Sequence, residues 1–368
     1  MARIIVIENT FYTVLSLRME ILYYLSENGY EVIILSTGPS EDFEKLSSLG
    51  FHCIDVGSVI LNPVKALGFI LALMTNVRKI SPLAICSFTI RPNIFGSIVA
   101  RVLRIPIISN VTGTGPLTEN NSMVYKIIRL LYKFAFSKNK TVFFQNEDDM
   151  YFFLQNSYVT SSQAKLLPGS GVDTDYYTPR EKTESNFSFL LISRLIRDKG
   201  VMEYVHAAEV VKKSHPEIDF KILGPFWTQS IGKNTLTMGD LYPYIQNDTV
   251  NYLGYTLDVR PYIAEADCIV LPSYREGCAN VLMQAASMSK PLIATDVTGC
   301  RNLISNQESG YICKVKNKDD LAEKLIKMYS ISAEKRKTMG QNGREKMIKE
   351  YQKKIVLDAY LNELKSIA

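Results

Sequence analysis

The sequence predicts an α/β protein built from two parallel-sheet domains. Strand-like apolar runs alternate with helix-length segments through nearly the whole chain, an order typical of parallel α/β architecture. A length of 368 residues exceeds what one compact core usually reaches, which favours two domains. A polar stretch at 178–186 separates two alternating halves. We therefore place a first domain at 1–180, a second at 185–350 and a C-terminal helix at 351–368.

Each half contains the strands and helices that this architecture requires. In the first half we predict strands at Arg3–Ile7, Glu31–Ser36, Leu83–Ser87, Pro106–Val111 and Thr141–Phe144, and helices at Ser16–Asn28 and Asn93–Leu103. In the second half we predict strands at Phe189–Ile192, Phe220–Gly224, Val250–Leu253, Cys268–Pro272 and Pro291–Thr295. Helices are expected at Gly200–Ser214, at Val259–Glu265, from about Asn280, and after Ser332.

The composition indicates a reduced, cytosolic protein that does not span a membrane. The six cysteines form no CxxC pair and lie mostly in apolar runs, so we expect free thiols in the core. The three histidines are too scattered for a histidine-rich metal site. The N-terminus resembles a first strand rather than a signal peptide. The longest apolar run, Ala66–Val77, is shorter than the roughly 20 residues of a membrane-spanning helix.

The positive charge is concentrated in one part of the chain. Between Val56 and Asn146 there are 11 basic residues against one acid, Glu119, although the whole chain carries only +5. Within this region, Ser122–Lys140 has apolar residues at helical spacing beside lysines and an arginine. Such a helix can lie on an anionic membrane, which we favour, or it can pack its apolar face on the domain.

The segment 271–299 indicates a ligand site for phosphate and hydroxyl groups. A strand ends at Pro272, a loop carries Glu276 and Gly277, and a helix begins near Asn280, a possible N-cap. Ligands of open α/β sheets bind at the carboxyl ends of strands, and helix N-termini there attract phosphate. A loop glutamate alone would more often be a solvated surface residue.

A second segment, ISRLIRDKG at 192–200, follows the first strand of the second domain. It places two cations, Arg194 and Lys199, near the carboxyl end of that strand. Such cations can stabilise negative charge that grows on a departing diphosphate. The alternative is a solvated entry into a helix.

Together these segments resemble the family 4 retaining glycosyltransferases, whose GT-B fold has two Rossmann-like domains facing each other across a cleft. The run LPSYREGCANVLMQAASMSKPLIATDVTG matches the family pattern of two glutamates eight positions apart, except that Gln284 occupies the second. The resemblance implies that Glu276, Arg194 and Lys199 are the catalytic residues. It implies further that Glu276 contacts the donor sugar and Gln284 the ribose. It also implies that the donor diphosphate lies near Gly277, Cys278, Asn280, Val281 and Leu282, with Gly224 lining the nucleotide pocket.

In the first domain, TIRPNIFGSIVARVLRIPIISNVTGTGPL at 89–117 resembles transferases that build O-antigen, capsule and other lipid-linked glycans. By that resemblance Gly113 and Gly115 form a flexible loop beside the acceptor, and Thr112 is a candidate acceptor contact because no histidine is present there. Arg18 corresponds to an acceptor-side or diphosphate-facing position, although a surface role is equally open. The C-terminal helix would pack back on the first domain.

Neither a cofactor nor a metal is expected. The N-terminal strand–helix turn lacks G-x-G-x-x-G, which disfavours a dinucleotide cofactor. The triplet Asp173–Thr174–Asp175 is similar to a metal-binding DxD, but the surrounding PGSGVDTDYY resembles the interdomain hinge of the family. We therefore assign no metal to it.

The resemblance implies a metal-independent retaining glycosyltransferase of lipopolysaccharide or capsule assembly. Its donor would be UDP-GalNAc, UDP-GlcNAc or UDP-Gal, with GDP-mannose open, and its acceptor an undecaprenyl-diphosphate-linked sugar. We expect it in the cytoplasm, peripheral on the inner face of the membrane, with no nucleic acid among its partners. Two alternatives stay open: a weakly active or regulatory nucleotide-binding partner of another transferase, and a nucleotide-sugar epimerase or hydrolase of the same fold.

Overall fold

The chain divides into two compact units, each with an α/β fold. A computed structural model describes residues 1–57, 63–114, 117, 122–227 and 234–367. The N-terminal unit consists of Met1–Ser170 together with Ile355–Ala368, and the C-terminal unit of Gly171–Lys354. The division after Ser170 precedes the polar stretch from which the sequence boundary was inferred.

The N-terminal unit is a parallel sheet with helices on both faces. Its strands are β1 (Ala2–Ile7), β2 (Tyr30–Ser36), β3 (His52–Asp55), β4 (Ala84–Phe88), β5 (Ile107–Val111), β6 (Thr141–Phe144) and β7 (Ala164–Leu166). They pair in parallel in the order β3-β2-β1-β4-β5-β6-β7. Its first helices are α1 (Phe11–Leu17), α2 (Met19–Glu27), α3 (Ser40–Ser48), α4 (Pro63–Ile80), α5 (Ile90–Leu103), α6 (Met123–Phe136) and α7 (Glu147–Gln155).

The central strand β1 is buried on both sides because its side chains alternate between two apolar cores. Ile4 and Val6 lie in the core that contains residues of α1, α2 and α3, whereas Ile5 and Ile7 lie in the core with residues of α4 and α5. Continuous runs of branched apolar residues are what a doubly covered parallel sheet requires. This explains the apolar run IIVI at the end of β1.

The C-terminal unit repeats this architecture with a smaller sheet. Its strands are β8 (Ser188–Ile192), β9 (Asp219–Leu223), β10 (Asn251–Tyr252), β11 (Cys268–Leu271), β12 (Leu292–Thr295) and β13 (Gly310–Cys313). They are parallel, in the order β10-β9-β8-β11-β12-β13. The helices are α8 (Val201–Lys212), α9 (Met238–Gln246), α10 (Arg260–Glu265), α11 (Asn280–Ser287), α12 (Thr298–Arg301), α13 (Lys318–Ser330) and α14 (Ala333–Glu350).

Each sheet has a switch point, where the strand order reverses direction. In the N-terminal unit it lies between β1 and β4, and in the C-terminal unit between β8 and β11. The loops that leave two such strands diverge and open a crevice at their carboxyl ends, where ligands of doubly wound sheets bind. The two switch points therefore locate the places to search for a functional site.

The predicted α/β architecture of two parallel sheets is confirmed, but one predicted helix is interrupted. Instead of a single helix Ser16–Asn28, α1 ends at Leu17 and α2 begins at Met19. Arg18 at the junction leaves helical geometry, with φ −120° and ψ −10°. Its side chain is buried and paired with Glu8, an interaction that helical periodicity does not reveal.

The six cysteines are free thiols, and all but Cys278 are buried. Burial raises the pKa of the Cys53 thiol to about 11 and of the Cys86 thiol to about 12, so these side chains stay neutral and behave as small apolar groups. Among the helices that the structure describes, none combines the length and the apolar character needed to cross a bilayer.

The last helix, α15 (Lys353–Lys365), completes the core of the N-terminal unit. Val356, Tyr360, Leu361 and Leu364 are buried there. The Tyr360 hydroxyl accepts a hydrogen bond of 2.7 Å from Nδ2 of Asn110 at the end of β5. The end of the chain is therefore an integral part of the N-terminal unit.

Replacing Tyr360 by Phe should destabilise the protein although the ring packing is kept. The change leaves the buried Nδ2 group of Asn110 without its partner, so we expect the free energy of unfolding to fall by about 1–3 kcal/mol. Urea denaturation followed by circular dichroism measures this loss. Tyr151→Phe, at an exposed tyrosine of α7, is the control. Equal midpoints for the two variants would contradict the prediction.

Candidate active site

Two charged side chains meet at the switch point of the C-terminal unit. The Lys199 ammonium lies 2.5 Å from Oε1 of Glu276, and the Ser273 hydroxyl donates a 2.8 Å hydrogen bond to the same oxygen. Both charged side chains are largely shielded from solvent, with 17% of the Lys199 side chain and 13% of the Glu276 side chain exposed. The structure thus brings together two of the three residues predicted from sequence to act in catalysis.

Close backbone packing brings the loop after β8 against the end of β11. Gly200 has φ +69°, and a Cβ atom at this position would lie 2.0 Å from the carbonyl oxygen of Pro272. Only glycine therefore fits there. The Tyr274 amide also donates to the Asp198 carbonyl at 2.8 Å. These contacts place Lys199 within reach of Glu276.

A second close approach supports the loop that carries Glu276. A Cβ atom on Gly299, at the start of α12, would lie 2.5 Å from the Glu276 carbonyl oxygen. The Ala279 amide donates to the Gly299 carbonyl at 2.9 Å. The loop containing Glu276, Gly277 and Cys278 is therefore held between the ends of β11 and β12. Its conformation is set by packing before any ligand binds.

Helix α11 begins at Asn280, so the expectation that Asn280 is the N-cap is wrong. The cap position is Ala279, whose side chain cannot accept a hydrogen bond. Oδ1 of Asn280 is buried and has no hydrogen-bond partner in the described structure. The Leu282 amide donates to the Ala279 carbonyl at 3.0 Å, so Asn280 and Val281 are the first-turn residues whose amides have no acceptor within the helix. This end of α11 therefore carries a positive partial charge next to Glu276.

Arg194 does not take part in the Lys199–Glu276 contact. Its side chain is exposed, and its guanidinium carbon lies 5.1 Å from the centre of the Trp227 ring. An arginine has a long side chain that can move between partners at little cost. Arg194 does follow the end of β8, as the sequence indicated. In the structure, however, its side chain packs on the Trp227 ring.

Gln284 is hydrogen-bonded to a residue that the sequence pattern did not indicate. Its Nε2 donates a 2.9 Å hydrogen bond to the hydroxyl of Tyr177. The carbonyl oxygen of the amide is then the group with which Gln284 can accept a hydrogen bond. Gly224 lies beyond the end of β9, and its backbone is already engaged, with its amide donating to Gly254 and its carbonyl accepting from Tyr252.

Two further side chains near Glu276 are protonated and neutral. Burial, followed by the hydrogen bond to Glu203, raises the pKa of Tyr274, whose hydroxyl donates to Glu203 at 2.6 Å. Burial, with the nearby charge of Glu276, raises the pKa of the Cys278 thiol to about 12. Neither group is therefore an anionic nucleophile at neutral pH. The sequence did not indicate Ser273 and Tyr274, although they directly follow the strand end at Pro272.

The switch point of the N-terminal unit holds a buried ion pair and a strained residue. Nε of Arg18 lies 2.9 Å from Oε2 of Glu8, and the guanidinium lies 4.3 Å from the centre of the Phe88 ring. Thr89, directly after β4, has φ 69° and ψ 171°, a region that is essentially restricted to glycine. Its hydroxyl lies 3.4 Å from Oε1 of Glu8.

The surface alternative for Arg18 is wrong, because the side chain is buried in this ion pair. Sequence reasoning missed its partners Glu8 and Thr89. The available signal was position: each is the first polar residue after an apolar strand, β1 and β4 respectively. Strain in a β-branched residue beside a buried carboxylate is typical of functional sites.

The loop after β5 is only partly described. Thr112 and Gly113 are half-buried there, and the neighbouring Thr114 donates a 2.7 Å hydrogen bond to Asp149. Gly115, which the sequence places in the same flexible loop, lies outside the described residues. The described part of the loop is tied to α7 through Thr114.

The Asp173–Asp175 triplet forms a turn. Oδ1 of Asp173 accepts 2.9 Å hydrogen bonds from the amides of Asp175 and Tyr176. In the parts of the chain that the structure describes, no three histidine, cysteine or acidic side chains come close enough to hold a metal ion.

Two family profiles match the chain one after the other. Residues 3–146 match "Glycosyl transferase 4-like", and residues 177–346 match "Glycosyl transferases group 1". The chain is 26% identical over 329 residues to the N,N'-diacetylbacillosaminyl-diphospho-undecaprenol alpha-1,3-N-acetylgalactosaminyltransferase of Campylobacter jejuni, with 84% of each chain covered.

Another relative and a solved structure extend this comparison. The chain is 23% identical over 257 residues to the UDP-Gal:alpha-D-GlcNAc-diphosphoundecaprenol alpha-1,3-galactosyltransferase of Escherichia coli, covering 65% of this chain and 64% of that protein. The fold of the present chain is similar to that of HepE of Anabaena in complex with UDP-glucose, with a TM-score of 0.79, 15% identity and full coverage of both chains. Since two glycosyltransferase profiles together span most of the sequence, the chain belongs to the GT-B glycosyltransferases, with a GT4-like N-terminal part and a group 1 C-terminal part.

Proposed function

We propose that this glycosyltransferase moves a sugar, with retention of configuration, from a UDP-sugar to a sugar linked to undecaprenyl diphosphate. The relatives with such donors and acceptors in their names support the substrate classes. The observation that carries the proposal is the shielded Lys199–Glu276 pair beside the N-terminus of α11. This arrangement offers a cation and helix amides for a diphosphate, and a carboxylate for sugar hydroxyls.

On the donor side, Glu276 accepts hydrogen bonds from the sugar while the amides of α11 and Lys199 bind the diphosphate. A lysine ammonium has three donors, so Lys199 can keep Glu276 and still contact a phosphate oxygen. Arg194 adds a second cation after turning away from Trp227. Gln284 contributes one acceptor to the ribose through its carbonyl oxygen, because its N–H group is engaged by Tyr177.

The transfer itself needs the charges of this site rather than a nucleophilic side chain. The acceptor hydroxyl bonds to the anomeric carbon on the face from which UDP departs, and the carbon–oxygen bond to the diphosphate breaks. The hydroxyl proton passes to the departing phosphate oxygen. Lys199 and Arg194 stabilise the growing negative charge, which is the task that a metal ion performs in other transferases.

On the acceptor side, we propose that Arg18 and Thr89 bind the acceptor sugar or its diphosphate, together with Thr112 and Gly113, while Glu8 holds Arg18 in place. Glu8, Thr89 and the Thr112–Gly113 pair follow the carboxyl ends of β1, β4 and β5, where doubly wound sheets bind ligands. Arg18 reaches this place through its ion pair with Glu8. The Glu8 carboxylate has no exposed surface and acts by orienting Arg18 and the Thr89 hydroxyl. Since an undecaprenyl chain is embedded in a bilayer, the enzyme would work at the inner face of the cell membrane.

A transfer assay tests this function directly. The purified protein is mixed with radiolabelled UDP-sugars or GDP-mannose and with GlcNAc or GalNAc on undecaprenyl diphosphate, with and without EDTA. Label that enters the lipid phase despite EDTA supports a metal-independent transferase and identifies the donor. Free labelled sugar in place of lipid product would favour a hydrolase, and an isomerised donor an epimerase. Absence of turnover by a folded protein that binds UDP would favour a regulatory partner.

Removing either charge of the central pair should abolish most of the activity. We expect Glu276→Gln and Lys199→Met each to lower kcat/KM by about 10²–10³-fold, because groups that act on the transition state contribute that much. Initial rates in the transfer assay measure the loss, and thermal unfolding checks the fold. The control is the Lys346–Glu350 pair of α14, which lies outside the switch point and is changed in the same way. Near-normal rates in either site variant would refute the assignment.

Restoring the family glutamate with Gln284→Glu should leave activity intact or tighten donor binding. A glutamate at 284 can accept from the Tyr177 hydroxyl, so the contact between the two side chains persists. A charged acceptor also strengthens a hydrogen bond to the ribose by roughly 1 kcal/mol, which is about a fivefold lower Kd for UDP. Calorimetric titration with UDP measures the change. A weaker affinity in a folded variant would place the ribose elsewhere.

Changing Thr89 to Gly should separate acceptor binding from stability. Glycine adopts the observed φ and ψ without strain, so we expect the free energy of unfolding to stay the same or rise by about 1 kcal/mol. Loss of the hydroxyl should raise the KM for the acceptor about tenfold, on the order of one hydrogen bond, without changing the Kd for UDP. Gln307→Gly, also at positive φ, is the control. An unchanged acceptor KM would exclude Thr89 from the acceptor site.

A further inference from the structure

Helix α6 exposes a stripe of large apolar side chains. Met123, Ile127, Leu130 and Phe134 recur at spacings of four, three and four residues, which places them on one face of the helix. Each is more than half exposed. The opposite face, with Tyr132, Ala135 and Phe136, is buried in the core of the N-terminal unit. The helix is therefore apolar towards the core and towards the outside as well, which is unusual for a surface helix.

The surroundings of this apolar stripe are strongly basic. Lys126 and Lys133 are exposed on the same helix. Helices α5 and α6 together carry five basic residues and no acid. A partner that covers the stripe must therefore combine an apolar layer with negative charge that faces these basic residues.

A basic pocket of about 550 Å³ lies near the C-terminal end of α6. Its lining includes four exposed cations, Arg101, Arg104, Lys138 and Lys140. Glu363 interacts electrostatically with Lys140, but its carboxylate is paired with Lys165. The pocket thus keeps a positive charge that suits a phosphate group.

The pocket is separate from the sites at the switch points. Its lining includes residues at the amino ends of two strands. Residues 105–107 lie before and at the start of β5, and Lys140 directly precedes β6. In a parallel sheet these strand starts lie at the edge opposite the carboxyl ends, where Glu8, Thr89 and Thr112 are found. A ligand of this pocket is therefore distinct from the donor and from the acceptor sugar.

Arg101 joins the pocket to the apolar stripe. Its guanidinium carbon lies 4.4 Å from the centre of the Phe134 ring. Its Nη1 also donates to the Phe134 carbonyl at 3.0 Å and to the Ser137 hydroxyl at 2.9 Å. Stripe and pocket are thus neighbouring parts of one surface.

We propose that this surface docks on an anionic phospholipid bilayer, with the stripe of α6 at the boundary between headgroups and acyl chains and a lipid phosphate in the basic pocket. An apolar stripe flanked by lysines is the composition that lies flat in such an interface. Each basic residue near an anionic surface raises the affinity roughly fivefold. The inference deepens the proposed function and rests on it for the presence of a bilayer, because the acceptor is membrane-bound.

Vesicle sedimentation with the full-length protein tests the docking surface. The vesicles contain phosphatidylcholine alone, or phosphatidylcholine with phosphatidylglycerol in a ratio of about two to one. We expect binding only to the mixed vesicles. Leu130→Glu and the double variant Arg104→Ala/Lys138→Ala should each lower the partition coefficient about tenfold or more. Ile348→Glu and Lys213→Ala/Lys337→Ala, at exposed positions of the C-terminal unit, are the matched controls and should bind like the unchanged protein.

Three outcomes would overturn the proposal. These are equal binding to neutral vesicles, undiminished binding of the Leu130 and double variants, and self-association that Leu130→Glu abolishes without any vesicle binding. The last would assign the stripe to a second copy of the chain. Circular dichroism confirms that each variant is folded.

Transfer to a water-soluble acceptor with a short lipid chain separates this inference from the proposed function. Leu130→Glu should keep full activity with that acceptor and lose activity with the undecaprenyl acceptor in anionic vesicles. Vesicle binding without transfer to either acceptor would contradict the proposed function alone. Transfer without selective binding to anionic vesicles would contradict the docking surface alone.

Discussion

In each unit, one inner strand pairs in parallel with two neighbours, and the strand order runs away from it on both sides. This pairing determines where the candidate functional residues of both units lie. β8 pairs with β9 on one side and with β11 on the other, and β1 does the same with β2 and β4. The loops after β8 and β11 therefore start side by side, and the packing of Gly200 on Pro272 keeps them in contact. The meeting of Lys199 with Glu276 depends on this pairing, although the two residues are far apart in sequence.

The sequence predicted most of the strands from local order, although β3, β7 and β13 were missed. A buried parallel strand requires a run of apolar residues, and a polar residue that follows it must lie at the carboxyl edge of the sheet. Whether the ends of two strands lie next to each other depends on the strand order, which local patterns do not reveal. The resemblance to a known family supplied that information for β8 and β11.

What the sequence could not predict was decided by contacts between distant segments. Gln284 donates to Tyr177, which lies on a different segment of the C-terminal unit, and Arg18 is buried against Glu8. No periodicity reports either contact. The backbone of Thr89 lies in a φ/ψ region that glycine favours, because the surrounding fold overrides the preference of a β-branched residue. The environments of Gln284, Arg18 and Thr89 could therefore be determined only from the structure.

The contribution of α15 to the N-terminal unit sets the order of events during synthesis. A ribosome makes this helix after the C-terminal unit, yet Tyr360 and Leu364 fill part of the core around β1 and β4. The N-terminal sheet therefore keeps part of its apolar surface uncovered until α15 has been synthesised. Domains usually fold in the order in which they emerge. Here the C-terminal unit, whose residues are contiguous, can finish folding first, and the nascent N-terminal unit is the part that most needs chaperone protection.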